Sequence, residues 1–237
     1  MSLKHFSHAD SIWAAYPELA AIAIHARGIS SGAPLPAVQI AALHDKARGR
    51  LAAGPEGEFA EIQAWRRAFS RMGLKPTQYR CAAESLLRRF RKEDALPALH
   101  PLVDACNAAS LAFAIPIAVF DLAQVAGSLQ VRPAAGDENH LPFGGEPERP
   151  MPGEIVFADA DGHAHARRWC HRQSMQSTIR PETSEVLIVA EAMHAGAAAD
   201  LERLQQALLA LLGAMGATAH AARQLDPTNA RFEIGQA

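Results

Sequence analysis

Residues 99–132 have the sequence LHPLVDACNAASLAFAIPIAVFDLAQVAGSLQVR, and the rest of the chain is expected to pack around them. The stretch is mostly apolar, but it contains Asp104, Asn107 and Asp121 among residues that the pattern predicts to be buried. A buried polar group costs roughly 1–3 kcal/mol unless it is hydrogen-bonded. These three side chains therefore either tie the backbone together or line a pocket.

The spacing of apolar residues predicts helices and strands within and around this stretch. The predicted helices cover residues 37–52, 59–69, 79–91, 100–113 and 201–215, the last with Asp200 as its N-cap. The predicted strands are one ending near Ala26, 115–121, 129–132, 154–158, 163–170 and 184–192. Residues 133–152 are predicted to form a loop anchored by Leu141 and Phe143, and no pattern follows Arg223.

This order of elements predicts an α+β fold, in which a mixed sheet carries helices packed on one side. The strand at 184–192 contains four consecutive apolar residues and is expected to be buried on both faces. We expect one continuous domain over residues 1–237, with 1–60 as an N-terminal extension, 62–215 as the core and 223–237 as a tail.

Composition limits the possible partners. The chain carries 23 Lys and Arg against 25 Asp and Glu, a net charge of −2, so a polyanion would have to meet a local basic patch. Three scattered cysteines without a CxxC pair indicate a reducing cytoplasm. No signal peptide or bilayer-spanning apolar segment is found, so no membrane partner is expected.

The densest basic segment is 66–92, which we interpret as a surface for RNA phosphates, although a merely solvated helix face has the same pattern. Its candidate contacts are Arg66, Arg67, Arg80, Arg88 and Arg89. No phosphate loop, HExxH or GxSxG motif occurs. His163 and His165 share a strand face, but the pattern favours solvent-facing histidines, so neither a metal nor a cofactor is predicted.

The densest polar run is Arg167 to Ser174. A strand there would place Arg168 and Arg172 on one face and Trp169 on the other. Such a strand could line a cleft for an anionic group or could be a hydrated edge. The hydroxyl-rich segment 174–183 that follows favours the cleft.

Five short motifs follow one another along the chain. They are Trp65-Arg66 with Gly73-Leu74-Lys75-Pro76, Leu102-Val103-Asp104 with Asn107, Pro116 with Phe120-Asp121, Gly127 with Val131-Arg132, and Thr183 with Val186. In this order they resemble the B3/B4 domain of the beta subunit of bacterial phenylalanyl-tRNA synthetase, a domain that also occurs as a free-standing protein. The resemblance covers about residues 62–215.

The resemblance implies a free-standing aminoacyl-tRNA deacylase with tRNA as its partner, since the synthetase domain hydrolyses the ester of tRNA misacylated with tyrosine. Such hydrolysis needs a positioned water and a stabilised oxyanion rather than a covalent nucleophile. Ala118 stands where the family has its editing histidine, and Met175 where it has a glutamate. We therefore expect the run 167–174 to reshape the pocket for a different aminoacyl group.

Two distant strips, around Asn107 and around Arg172, are expected to meet in a small polar hollow. The expected substrate-binding residues are Asn107, Arg168, Arg172, Ser174 and Thr183, with Asp104 and Asp121 as structural or pocket residues. No catalytic residue is assigned. The alternatives are a non-catalytic module that binds tRNA or an amino acid, and a hydrolase of a small amide or ester without an RNA partner. No DNA partner is expected.

Overall fold

The computed structural model describes residues 5–235 as two β-sheets and their helices. The helices are α1 (Asp10–Ala15), α2 (Ala37–Ala53), α3 (Ala60–Arg71), α4 (Ala82–Glu93), α5 (Pro101–Phe113) and α6 (Ala197–Ala214). The strands are β1 (His5–His8), β2 (Ala20–Arg27), β3 (Ile117–Asp121), β4 (Leu129–Pro133), β5 (Ile155–Ala158), β6 (Ala164–Arg167), β7 (Arg172–Gln173), β8 (Glu185–Ala192), β9 (Thr218–Leu225) and β10 (Arg231–Glu233). Among these described helices, none has the length and apolar character that crossing a bilayer requires.

The strands form a four-stranded and a six-stranded sheet. The first has the order β3-β8-β2-β9 and is antiparallel throughout. The second has the order β10-β1-β4-β5-β6-β7 and is mixed, because β1 and β4 run parallel while its other pairs are antiparallel. The predicted α+β fold with a mixed sheet is therefore confirmed.

The four-stranded sheet separates two hydrophobic cores. On one face, Ile188 of β8 packs with residues of α2, α5 and α6, including Leu201. On the other face, Leu187 and Val189 pack with Phe157 of the six-stranded sheet and with α3 and α4. Successive residues of β8 point to opposite faces, so its continuous apolar run supplies both cores, as the sequence predicts.

The first 60 residues contribute inner strands to both sheets. β1 lies between β10 and β4, and β2 lies between β8 and β9. The predicted division into an extension, a core and a tail stays a prediction. The ends of that extension and tail, residues 1–4 and 236–237, lie outside the described residues.

The predictions of an Asp200 N-cap and of a Phe143 anchor are wrong. Helix α6 begins four residues earlier than expected, with Gly196 as its N-cap, because the alanines at 197–199 are strong helix formers. Asp200 lies in the first turn instead, where its charge still faces the positive end of the helix. Phe143 does not anchor the 133–152 loop, since it is 67% exposed.

The strand predicted at 163–170 is interrupted. β6 ends at Arg167, and Arg168 and Trp169 take left-handed backbone angles, with φ of 46° and 59°, so that the chain turns into β7. The expected solvent-facing position of His165 is wrong as well, because β6 is buried over its whole length. His165 bonds through Nε2 to Asp159 at 3.0 Å and through Nδ1 to Ser177 at 2.8 Å.

Candidate functional site

Two neighbouring cavities lie where the edges of the two sheets face each other. β3 is an edge strand of one sheet and β7 of the other, and Gln173 joins them by donating from Nε2 to the Val119 carbonyl oxygen at 2.7 Å. The outer cavity has a volume of about 360 Å³ and the inner cavity about 60 Å³. Ile117 and Gln173 line both cavities, so the two spaces adjoin.

The outer cavity is formed by the start of α5, by β3 and by the chain after β7. Its lining residues are Leu99, His100, Val103, Cys106, Asn107, Ile117, Val119, Phe143, Gln173, Thr178 and Ile179. Most of these are apolar, and the carboxamides of Asn107 and Gln173 lie among them. Leu99 and Phe143 are 68% and 67% exposed, which places them at its mouth.

The inner cavity extends between the two sheets. Its lining residues are Ala82, Pro116, Ile117, Ala118, Phe157, Ala166, Trp169, Cys170, His171, Arg172, Gln173, Val189 and Glu191. Ala118, at the position where the resemblance places a histidine, belongs to this lining. Met175, at the position of the family's glutamate, is 39% exposed and lines neither cavity.

The strips around Asn107 and Arg172 lie in adjoining spaces, Asn107 in the outer wall and Arg172 in the inner wall. Ser174 and Thr183 line neither cavity, because both side chains are buried in hydrogen bonds within the protein. The Ser174 hydroxyl donates to the Leu141 carbonyl oxygen at 3.1 Å. Arg168 stacks over the Tyr79 ring, 4.8 Å from its centroid, and lines neither cavity.

Asp104 and Asp121 hold backbone segments. Asp104 Oδ1 accepts from the Leu99 N–H at 3.0 Å, just before α5. Asp121 accepts from the Ala123 N–H at 3.0 Å and from the Thr183 hydroxyl at 2.8 Å. Both carboxylates therefore fix the course of the chain next to the cavities.

The thiols in the cavity walls are protonated at neutral pH. Burial raises the pKa of Cys106 to about 12 and also raises the pKa of Cys170. Only a thiolate is an effective sulfur nucleophile. Neither cysteine is therefore suited to covalent catalysis.

His171 is suited to accept a proton. Its Nδ1 lies 2.8 Å from the Arg80 carbonyl oxygen and 3.3 Å from the Arg80 amide nitrogen. The shorter contact favours the tautomer in which Nδ1 carries the proton and donates it to the carbonyl oxygen. Burial lowers the pKa of His171, and the positive charges of Arg168 and Arg172 lower it further. The imidazole is thus neutral at pH 7, with Nε2 as its unprotonated nitrogen, and His171 is one of the residues that line the inner cavity.

Sequence reasoning missed Glu191, a carboxylate in the wall of the inner cavity. Its side chain is only 4% exposed and is held by His8 Nε2 at 2.6 Å and by Trp169 Nε1 at 3.0 Å. One signal was present, since Glu191 is a charged residue inside an otherwise apolar strand. Its partners were not predictable, because His8 lies 183 residues away in the chain.

Within the basic segment, helix α4 starts at the inner cavity, since its first residue, Ala82, is part of the lining. Three of the five predicted RNA contacts are already paired with buried carboxylates. Arg66 and Arg80 contact Glu84 at 2.6 and 3.4 Å, and Arg88 contacts Glu56 at 3.4 Å. Arg89 pairs with exposed Glu93, and Arg67 lines an open groove on α3 with Arg66 and Arg71.

Among residues 5–235, the donor atoms of Glu61, His194 and Asp200 lie within 4.8 Å of one another. Arg50 donates to both oxygens of Glu61, and Arg203 donates to Asp200. A metal ion would have to displace these guanidinium groups, so the cluster is better suited to ion pairing than to metal binding.

Comparison with known proteins gives one family match, the B3/4 domain, over residues 64–207. No curated protein matches the chain. Among solved structures, an N-terminal fragment of the phenylalanyl-tRNA synthetase beta subunit from Pyrococcus horikoshii is similar, with 12% sequence identity and a TM-score of 0.42. That similarity covers 52% of this chain and 43% of the fragment, so the chain spans less than half of it.

Proposed function

The chain belongs to the B3/4 domain family, and from this premise we propose that it hydrolyses the ester bond of a mischarged aminoacyl-tRNA in trans, in the cytoplasm. The observation that carries the proposal is the pair of adjoining cavities between β3 and β7. At about 360 Å³, the outer cavity lies at the small end of the range for ligand sites. Its size suits a terminal ribose with its ester, and the inner cavity suits the amino-acid side chain.

The chemistry asked of the protein is modest. An ester is activated, so a positioned water and a donor for the oxyanion are sufficient. In this proposal His171 accepts a proton from the attacking water, and the carboxamides of Asn107 and Gln173 bind the ester and the ribose. The protonated thiols of Cys106 and Cys170 take no part in the reaction.

The direct test offers the purified chain a panel of tRNAs, each mischarged with a radiolabelled amino acid, and measures release of the label. We expect hydrolysis of at least one of them. Asn107→Ala should slow it about tenfold, as expected for the loss of one hydrogen bond of about 1.4 kcal/mol. Asn229→Ala, an exposed asparagine at the 226–229 turn, is the matched control and should leave the rate unchanged. A panel left intact would end the hydrolase proposal.

The alternative is a binding module without turnover, and Ala118 favours it. A methyl group occupies the place in the inner wall where the resemblance puts a histidine. This alternative predicts saturable binding of aminoacyl-tRNA in a filter assay with no release of amino acid over the same period. Measured release that depends on His171 would exclude it.

We propose the exposed side of α3 and α4 as the RNA contact, because α4 begins at the inner cavity. Arg89 lies about 10 Å further along α4 than Ala82, at 1.5 Å per residue. An RNA acceptor end placed in the cavities would therefore have basic residues beside its backbone.

A further inference from the structure

The inner cavity holds a carboxylate among apolar walls. Glu191 faces a space formed by Ile117, Ala118, Phe157 and Val189, between the two sheets. Its two partners, His8 Nε2 and Trp169 Nε1, both donate hydrogen bonds. A carboxylate has about four acceptor sites, so Glu191 retains capacity for a further donor.

The size of the cavity limits what can reach this carboxylate. About 60 Å³ holds about two water molecules, or a side chain of about two or three non-hydrogen atoms. An aromatic or long aliphatic side chain would not fit without moving Phe157 or Trp169, which are both almost completely buried. The space therefore suits a short side chain.

The charges around the cavity favour a neutral donor over a cation. Arg172, an exposed residue of β7, is among the residues that line the same space as Glu191, so a ligand ammonium group would have a like charge nearby. A hydroxyl group carries no charge and can donate to Glu191. Both oxygens of Glu191 already accept a hydrogen bond from His8 or Trp169, so a methyl group in place of the hydroxyl would leave only the remaining acceptor capacity of the buried carboxylate unfilled. A site whose buried polar group is not fully paired by the ligand discriminates against that ligand.

We propose that Glu191 makes the inner cavity selective for a short acyl side chain that bears a hydroxyl group, as in serine or threonine. This inference rests on the proposed deacylase function and names the class of its substrate. Glu191 acts here as a specificity residue and takes no part in bond cleavage.

The test compares threonine with valine, which differ by a hydroxyl in place of a methyl group. The protein is given the same tRNA charged with either amino acid. We expect the threonyl ester to be hydrolysed about 100-fold faster, and Glu191→Gln to reduce the ratio to below about tenfold. Glu182→Gln, an exposed carboxylate shortly before β8, removes the same charge as a control and should keep the wild-type ratio.

A second readout does not depend on turnover. The dissociation constants of 3′-threonylamino-3′-deoxyadenosine and of its valyl counterpart are measured for the wild type and for Glu191→Gln. Hydrolysis of both esters at similar rates would overturn the inference and leave the deacylase function standing. Tighter binding of the threonyl analogue without hydrolysis of any ester would support the inference and overturn the deacylase function.

A third outcome identifies a different ligand group at Glu191. If Glu191→Gln slows hydrolysis of both esters, or weakens both analogues, by the same factor, the carboxylate recognises the shared α-amino group. That result would overturn selectivity for a side-chain hydroxyl. Equal urea midpoints of Glu191→Gln and the wild type would show that the change is not a loss of folding.

Discussion

The buried hydroxyl group of Thr183 links Asp121, at the end of β3, to the backbone of Arg180. It donates to Asp121 at 2.8 Å and accepts from the Arg180 N–H at 2.9 Å. We expect Thr183→Val to lower the free energy of unfolding by about 2 kcal/mol, because it leaves buried polar groups unpaired. Urea unfolding measures this, with Thr183→Ser retaining most of the stability. Thr178→Val, which loses the exposed hydroxyl bonded to the Met175 carbonyl, should change stability by less than about 0.5 kcal/mol.

The same variant separates the two roles considered for Thr183. A stable Thr183→Val protein with impaired hydrolysis would favour substrate contact, as the sequence predicted. A destabilised protein that still hydrolyses its ester, when assayed well below its unfolding midpoint, would assign Thr183 to the structure alone. The geometry leads us to expect the second result.

Cys106 provides a test of burial at the cavity wall. Because burial raises its pKa to about 12, its thiol should remain protonated at pH 8. We expect Ellman's reagent to modify Cys106 only when urea unfolds the chain, as followed by mass spectrometry of the labelled peptide. Cys106→Ala should retain ester hydrolysis within about twofold. Rapid labelling of the native protein would contradict the assignment.

At the scale of elements, α4 combines two uses of its basic residues. Arg88 and Arg91 pair with buried Glu56, whereas Arg89 and Lys92 face solvent. We expect Arg89→Gln with Lys92→Gln to weaken tRNA binding and to reduce the slope of log affinity against log salt by about two. Filter binding from 50 to 200 mM salt measures both quantities.

The ion-paired arginines of α4, Arg88 and Arg91, are compared with the solvent-facing pair Arg89 and Lys92. Arg88→Gln with Arg91→Gln leaves the Glu56 carboxylate buried without its cations, so the free energy of unfolding should fall by about 2 kcal/mol. The solvent-facing pair should change stability by less than about 0.5 kcal/mol. Arg203→Gln on α6 is the control for a surface charge outside the basic segment. If the solvent-facing pair left the salt slope unchanged, α4 would not be the RNA contact.

Helices and strands with a clear spacing of apolar residues were predictable from the sequence. Strands whose position is set by pairing with another strand were not. Helix α5 and strand β8 follow from apolar spacing alone, and both lie within two residues of their expected bounds. β9 has no alternating pattern, and its position is set by antiparallel pairing with β2. The turn at Arg168 and Trp169 was missed because non-glycine residues rarely take left-handed angles.

At the scale of the whole molecule, the candidate site results from long-range pairing. The cavities form because β3 and β7, which lie in different sheets, face each other across the Gln173 side chain. Sequence reasoning could predict that the strips around Asn107 and Arg172 are polar within apolar surroundings. It could not predict Glu191 as a lining group, because its burial depends on His8 of β1 and on Trp169. Register and sheet order decide such contacts.

Several titratable groups of the folded protein are held in their unprotonated form, which is lost when the pH falls. Burial alone would raise the pKa of Glu138, but hydrogen bonds from the backbone N–H groups of Ala135 and Gly136 lower it to about 2. Burial likewise opposes the shift of Asp159, yet bonds from His165 and backbone N–H groups hold its pKa well below the usual range. Among the histidines, burial lowers the pKa of His140.

These shifts act on stability in the same direction. Each group binds protons more weakly in the folded than in the unfolded chain, so stability must fall as the pH falls. Buried histidines such as His140 contribute fully to the free energy of unfolding above about pH 6.5, and this contribution is lost below that pH. The contribution of Glu138 and Asp159 is lost below about pH 4. We expect the urea midpoint to be constant from pH 8 to 7, to decline gradually to pH 5 and to fall steeply from pH 4 to 2.5. Asp159→Asn should be less stable at pH 7, and its urea midpoint should fall less steeply between pH 4 and 2.5. A wild-type midpoint that rises on acidification would contradict these assignments.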